Sequence, residues 1–332
     1  AHVVGIGARR PVSFFGWPGK PSRYLDGRAG VVWAAGPEAD AVAALEELAD
    51  AVRRAHRGEP LHRPEEVTRA LRQLREALTR FQSLRNREGM AACYSNLGVL
   101  FKNLGAFPQA EEYHLAALRI HQDLGDLPRC AADLANLGIV CALRNNNPLA
   151  LKYFDQAKAI FEQTQDRKQA AIAIFNAAAS MVQMNMLDEA ARRLNTAFES
   201  FARLDYAEGQ ACCKLLRAEI EKRLDRPGGA RVHIEAAYRI CSQGQMPELA
   251  CHCRSALAEI VAREGRIDDA IAIYSEAIDG LEKLRRNVGT FQLASSFLSR
   301  RAQVYQGMVD LLAERGTSDP AMAELAYRYM EM

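Results

Sequence analysis

At 332 residues, 49% hydrophobic and 25% charged, the chain has the composition of an ordinary globular protein or helical array. Its 43 Lys and Arg against 41 Asp and Glu leave a net charge of +2 with both signs interleaved, which excludes the basic stripe of a nucleic-acid binder and the polybasic patch of a membrane-surface protein. No apolar run reaches the roughly 18 residues of a membrane span, and Arg9, Arg10 and Pro11 interrupt the short apolar run at the start, so no signal peptide is expected.

The first 37 residues differ in character from the rest of the chain. "HVVGIGA" and "RAGVVWAAG" read as two short strands, and "VSFFGWPGKPSRYL" between them, with two prolines and two glycines, cannot be helical. From Gly7-Ala8-Arg9 through Pro11-Val12, Phe14-Phe15 and Pro18-Gly19-Lys20-Pro21-Ser22, this stretch resembles a segment of the middle domain of acetolactate-synthase-like thiamine-diphosphate enzymes, over residues 1–57. In that family two other domains hold the cofactor, and neither context occurs here. The resemblance therefore implies a remnant without cofactor chemistry, and an enzyme is not expected. Gly5-x-Gly7 lacks the third glycine of a dinucleotide fingerprint. Glu38–Arg57 reads as a helix with Val42, Leu45, Leu48, Ala49 and Val52 on one stripe, paired with a second from Pro64 to Arg85.

Residues 38–286 carry an internal repeat of 40 residues. Alanine recurs at Ala70, Ala110, Ala150, Ala190, Ala230 and Ala270, and again seven places on at Ala77, Ala117, Ala157, Ala197, Ala237 and Ala277. Seven residues are two helical turns, so each pair of methyl groups lets one helix face approach its neighbours closely. His114, Phe154, Leu194, Ile234 and Tyr274 fill the same place between the alanines. Each unit predicts two amphipathic helices, of the kind Ala91–Leu104 and Pro108–Leu124. Breakers fall at Gly105, Asn145-Asn146-Asn147-Pro148, Pro227-Gly228-Gly229 and Gly265. Small residues at Gly98, Gly138, Ala178, Ala218 and Ala258 follow larger ones at Leu97, Leu137, Ala177, Arg217 and Leu257, with Phe101, Cys141, Met181, Glu221 and Val261 near the helix end. This pattern resembles the tetratricopeptide repeat, in the longer-helix variety of kinesin light chains and bacterial signalling proteins. Arg217 and Glu221 make the fourth unit the least regular. The fold expected is therefore an all-α tetratricopeptide α-solenoid, a right-handed superhelix with a concave face, preceded by the short β-containing segment.

In this family the first helix of each pair lines the concave face. One position there gives Asn96, Asn136 and Asn176 in succession. Mid-helix Asn costs about 0.6 kcal/mol relative to Ala, but its carboxamide both donates to and accepts from a peptide backbone. Related proteins use such a ladder to hold an extended peptide; the alternative is that each Asn caps or bridges to the neighbouring helix. The same register adds Val99, Lys102, Asn103, Ile139, Leu143, Phe175, Gln183, Lys222, Arg223 and Arg263 to the candidate peptide-binding set. Lys222, Arg223 and Arg263 meet acidic groups of a partner, or are solvated or paired with Glu219 and Glu259.

The eight cysteines cluster only as Cys212–Cys213 and Cys251-His252-Cys253, without the C-x-x-C spacing of a zinc site. They read as reduced thiols in a cytoplasmic protein, with no metal or other cofactor expected. Cys251 and His252 lie on a repeat helix and form no catalytic dyad. Beyond Arg286 the alanine rhythm stops. Residues 288–315 read as one long helix, striped with Phe291, Ala294, Phe297, Leu298, Val304, Tyr305, Met308, Leu311 and Leu312, and a further helix begins at Asp319-Pro320. Residues 291–332 resemble the junction between repeats and the caspase-like CHAT protease domain in bacterial proteins. The function expected is a non-catalytic scaffold that binds a protein or peptide segment. The alternative is the partner-sensing half of a CHAT protease system. The apolar edge at 319–332 is expected to meet a further domain or a second copy of the chain.

Overall fold

The computed structural model describes residues 64–286, 304 and 307–312. The β-loop-β segment, the helix Glu38–Arg57 and the edge at 319–332 lie outside the described residues. Those described are all helical. They fall into two compact units, the first ending at Arg144 and the second starting at Asn145.

The first unit holds α1 (Pro64–Ser83), α2 (Arg87–Asn103), α3 (Phe107–Asp123) and α4 (Leu127–Leu143). The second holds α5 (Asn147–Gln163), α6 (Arg167–Gln183), α7 (Leu187–Arg203), α8 (Ala207–Arg223), α9 (Pro227–Gln243), α10 (Pro247–Arg263) and α11 (Ile267–Arg286), with Val304 and 307–312 also helical. From α2 to α10 every helix has 17 residues. Three-residue turns join them, so the 40-residue sequence period is two helices and two turns.

One turn design recurs along the chain. After α2, the Gly105 N–H bonds the Lys102 carbonyl at 3.0 Å and the Ala106 N–H bonds the Phe101 carbonyl at 2.9 Å. That is the paired bond of a Schellman C-cap, and it needs a left-handed residue at the middle of the turn. Such a residue recurs every 20 positions, at Arg85, Gly105, Gly125, Asn145, Gln165, Asn185, Asp205, Asp225, Gln245 and Gly265. The next residue opens the following helix. Asn86, Asp126, Asn146 and Asp166 each accept an N–H three residues on, satisfying an orphan donor of the first turn. The turn expected at Pro227-Gly228-Gly229 is displaced: these residues form the first turn of α9, where proline needs no N–H, and Asp225 makes the turn instead.

The alanines do what their spacing requires. Ala110, Ala117, Ala150, Ala157, Ala190, Ala197, Ala230, Ala237, Ala270 and Ala277 are all buried at the helix contacts, as are the large residues between them. Gly98 shows how close the approach is, since a Cβ there would lie 2.6 Å from the His114 ring. The irregular fourth unit has its own solution. Glu221, in a position otherwise apolar, pairs with Arg217 at 3.3 Å. It fits because Gly229 on α9 has no side chain; a Cβ there would stand 3.0 Å from the carboxylate. At the end of the second unit, Val304, Met308, Leu311 and Leu312 bury against Cys251, Ala258, Val261, Ala270, Tyr274, Ala277, Ile278 and Leu281. The last described pair therefore has its apolar face covered.

Candidate functional site

In the first unit, Asn96 and Asn136 are each the tenth residue of their helix, on α2 and α4. Asn96 is 5% exposed and Asn136 half-buried. Among the described residues neither carboxamide has a hydrogen-bond partner. Neither side chain caps or bridges a neighbouring helix among the described residues. Lys102 is half-buried and has no ion pair among the described residues; burial pushes its ammonium down to about 8. Ile139 and Leu143 are half-buried, and Asn103 is exposed with a partner of its own. Val99 departs from the expected lining: at 2% exposure it is a core residue, because its position on α2 turns inward against the neighbouring helices.

In the second unit, Asn176 is the tenth residue of α6 and carries the same unbonded carboxamide among the described residues. Phe175 is fully buried in the core with Ala171, Ile174 and Ala211, so it is not the anchor for a ligand side chain that its register suggests. The expected cations are paired. Lys222 bridges Glu219 at 2.8 Å and Glu259 at 2.7 Å, and Arg263 takes the other oxygen of Glu259 at 2.9 Å. Arg223 reaches Glu219, the Val182 carbonyl at 2.6 Å and the exposed Gln183 at 3.3 Å. Each of these cations therefore already meets an acceptor within the unit, although the three positive groups share two carboxylates, Glu219 and Glu259. Lys222, Glu219, Glu259 and Arg263 form one wall of a pocket of about 510 Å³, with Leu215, Ile234, Tyr274 and Leu311 supplying apolar surface.

One polar cluster has no motif to mark it in the sequence. In the first unit, Asp133 on α4 is 1% exposed. Its carboxylate accepts the Ser95 hydroxyl at 2.8 Å and the His121 Nδ1–H at 2.7 Å, while His114 Nδ1 stands 3.5 Å away. Burial drives His114 toward the neutral imidazole, below its ordinary value. Burial works against the Asp133 charge too, but the two imidazoles outweigh it and hold the carboxyl below the usual range. By sequence His114 is only a packing residue between two alanines. Its chemistry shows once α2, α3 and α4 bring the four side chains together. The order runs Ser–Asp–His, with the carboxylate in the middle, so no nucleophile faces a base and the cluster is not a catalytic triad.

The comparisons with known proteins agree with this architecture. The family described as soluble NSF attachment protein, SNAP, matches residues 142–301, and a tetratricopeptide-repeat family matches residues 90–124. No curated protein matches the chain significantly. Among solved structures, the Rap protein complexed with Competence and Sporulation Factor aligns at a TM-score of 0.61 with 17% identity, covering 89% of this chain and 87% of that one. NprR in complex with its cognate peptide NprX aligns at 0.59 with 12% identity, covering 90% and 78%. BtubC (BKLC) from P. vanneervenii aligns at 0.52 with 19% identity, covering 73% and 92%. At these identities the likeness is one of fold: the chain is a helical-repeat protein with repeats of the tetratricopeptide type. The acetolactate-synthase-like stretch lies outside the described residues, and only Val304 and 307–312 of the CHAT-like stretch lie within them. No described helix is long and apolar enough to cross a membrane.

Proposed function

We propose that this chain is a non-catalytic interaction scaffold that holds a peptide segment of a partner protein, with Asn96 and Asn136 of the first unit bonding its backbone. The observation that carries the reading is the pair of carboxamides at one register on α2 and α4, unbonded among the described residues. A helix gains nothing from Asn at such a position, whereas a peptide bond offers both the donor and the acceptor the amide needs. Ile139 and Leu143 give a bound chain apolar surface, and the ammonium of Lys102, without an ion pair among the described residues, suits an acidic group on it. The fold is one in which peptide complexes occur: the aligned Rap structure holds Competence and Sporulation Factor, and the aligned NprR structure its cognate peptide. In the second unit Asn176 offers the same chemistry on its own.

The test is to pan a displayed random-peptide library against the chain and against the Asn96→Ala/Asn136→Ala variant. The reading expects a family of related sequences enriched on the wild type and lost on the variant. Equal enrichment of the same sequences on both would overturn it.

A further inference from the structure

The repeat supplies its own internal control for the buried cluster. The place of His114 is taken by Leu74, Phe154, Leu194, Ile234 and Tyr274 elsewhere in the chain, and that of His121 by Phe81, Phe161, Phe201, Cys241 and Leu281. The place of Asp133 is taken by Cys93, Ala173, Cys213 and Cys253. Cys241 and Cys253 are packed with their sulfurs 4.0 Å apart, at the same two positions as the His121–Asp133 hydrogen bond. Packing alone therefore asks for nothing polar here. In one repeat junction, three core positions have exchanged apolar side chains for two imidazoles and a carboxylate.

We propose that His114, packed against the His121–Asp133 hydrogen bond, is a proton-operated latch that joins α2, α3 and α4 while its imidazole is neutral and releases them on acidification. In the neutral state Asp133 is satisfied by Ser95 and His121. Both nitrogens of His114 and the Nε2 of His121 are buried without a hydrogen-bond partner among the described residues. A proton added to His114 thus creates a buried N–H with no new acceptor beyond the one carboxylate. The charged groups facing the cluster make this worse. On α2, Lys102 acts on His114, and on α4, Arg129 acts on Asp133. Cys130 is the other titratable neighbour of Asp133, and its thiol stays neutral because burial pushes it up to about 11. A protonated His114 beside Lys102 faces only Asp133, since Asp126 is already held by Arg129 at 2.9 Å, and leaves an excess of positive charge in the core.

Burial sets the direction of the pH response. A histidine whose folded-state value lies below its ordinary 6.5 contributes stability that is complete above that pH. The contribution falls as the pH drops from 6.5 toward the depressed folded value. Asp133, also held low, loses its contribution only at more acid pH, below its ordinary 3.8. The acid response between pH 7 and 5 therefore belongs to histidine.

The experiment uses the full chain and the variant His114→Phe/His121→Phe/Asp133→Ala, which carries the residues that the next repeat holds at Phe154, Phe161 and Ala173. Thermal unfolding is followed at pH 7.5 and 5.0, with hydrogen exchange, corrected for intrinsic rates, read on peptides from 87–143 and 167–263. The expected result is a drop of about 5 °C or more in the wild type at pH 5.0 that the variant loses, with acid-induced exchange confined to 87–143. The single His114→Leu variant, matching Leu194, is the second arm and is expected to lose most of the same acid response. Equal acid sensitivity in wild type and variants, or exchange that rises alike in both regions, would overturn the latch.

Discussion

Seven of the ten left-handed turn residues carry a side chain: Arg85, Asn145, Gln165, Asn185, Asp205, Asp225 and Gln245. For asparagine and aspartate the strain is small, because their short polar groups tolerate this region. For Gln165 it is not, and a glycine there relieves roughly 1–2 kcal/mol of backbone strain against a smaller entropic cost in the unfolded chain. Gln165→Gly is therefore expected to stabilise the second unit by about 0.5–1 kcal/mol, seen as a higher urea midpoint with an unchanged slope. A lower midpoint would show that Gln165 makes an interaction worth more than the strain. Gly98 predicts the opposite response. A methyl group placed 2.6 Å from the His114 ring must move a fully buried side chain, so Gly98→Ala is expected to cost about 1–3 kcal/mol, although alanine is the better helix former. A neutral result in the same urea titration would mean that the His114 ring yields easily.

At the scale of helices, the ionic contacts differ in worth according to what they join. Arg203 pairs with Glu199 one turn back on α7, and both are largely exposed; such a pair is worth a few tenths of a kcal/mol. Arg223 instead runs from α8 to the end of α6. There it adds a second hydrogen bond to the Val182 carbonyl, which already accepts the Asn185 N–H at 3.0 Å, and it also holds Glu219. Arg223→Ala is expected to destabilise by about 1–2 kcal/mol, while Arg203→Ala stays within about 0.5 kcal/mol. Chemical denaturation of the two variants side by side checks the contrast, and equal effects would refute it. Lys222, shared between Glu219 and Glu259, ties α8 to α10 by the same logic. That pairing ties the positive charges of the fourth and fifth repeats into the second unit's own contacts.

For the molecule as a whole, the repeat is plain in the sequence because its cause is periodic: two alanines seven residues apart, every 40 residues, mark helix contacts that have no room for larger groups. The start that the sequence suggests for α2, Ala91, falls short of the observed Arg87, since Asn86 caps the helix before the apolar pattern begins. The turns are legible only where glycine or asparagine marks them. Gln165 and Gln245 carry no such signal, and Pro227-Gly228-Gly229 carries a false one. The candidate site is legible in part. Register finds the asparagines, but it cannot tell that Val99 and Phe175 turn into the core, nor that Lys222, Arg223 and Arg263 already have partners. The His114–His121–Asp133 cluster escapes notice because its members come from two helices and become neighbours only on folding. Whether Asn96 and Asn136 hold a peptide by its backbone is best decided by fluorescence anisotropy, titrating one labelled peptide from the library selection with wild type and with Asn96→Ala/Asn136→Ala. At about 0.5–1.5 kcal/mol for each lost hydrogen bond, binding to the variant is expected to be weaker by roughly tenfold to a hundredfold, with helical content unchanged. Equal affinity in a fully folded variant would contradict the backbone-holding role of the two asparagines.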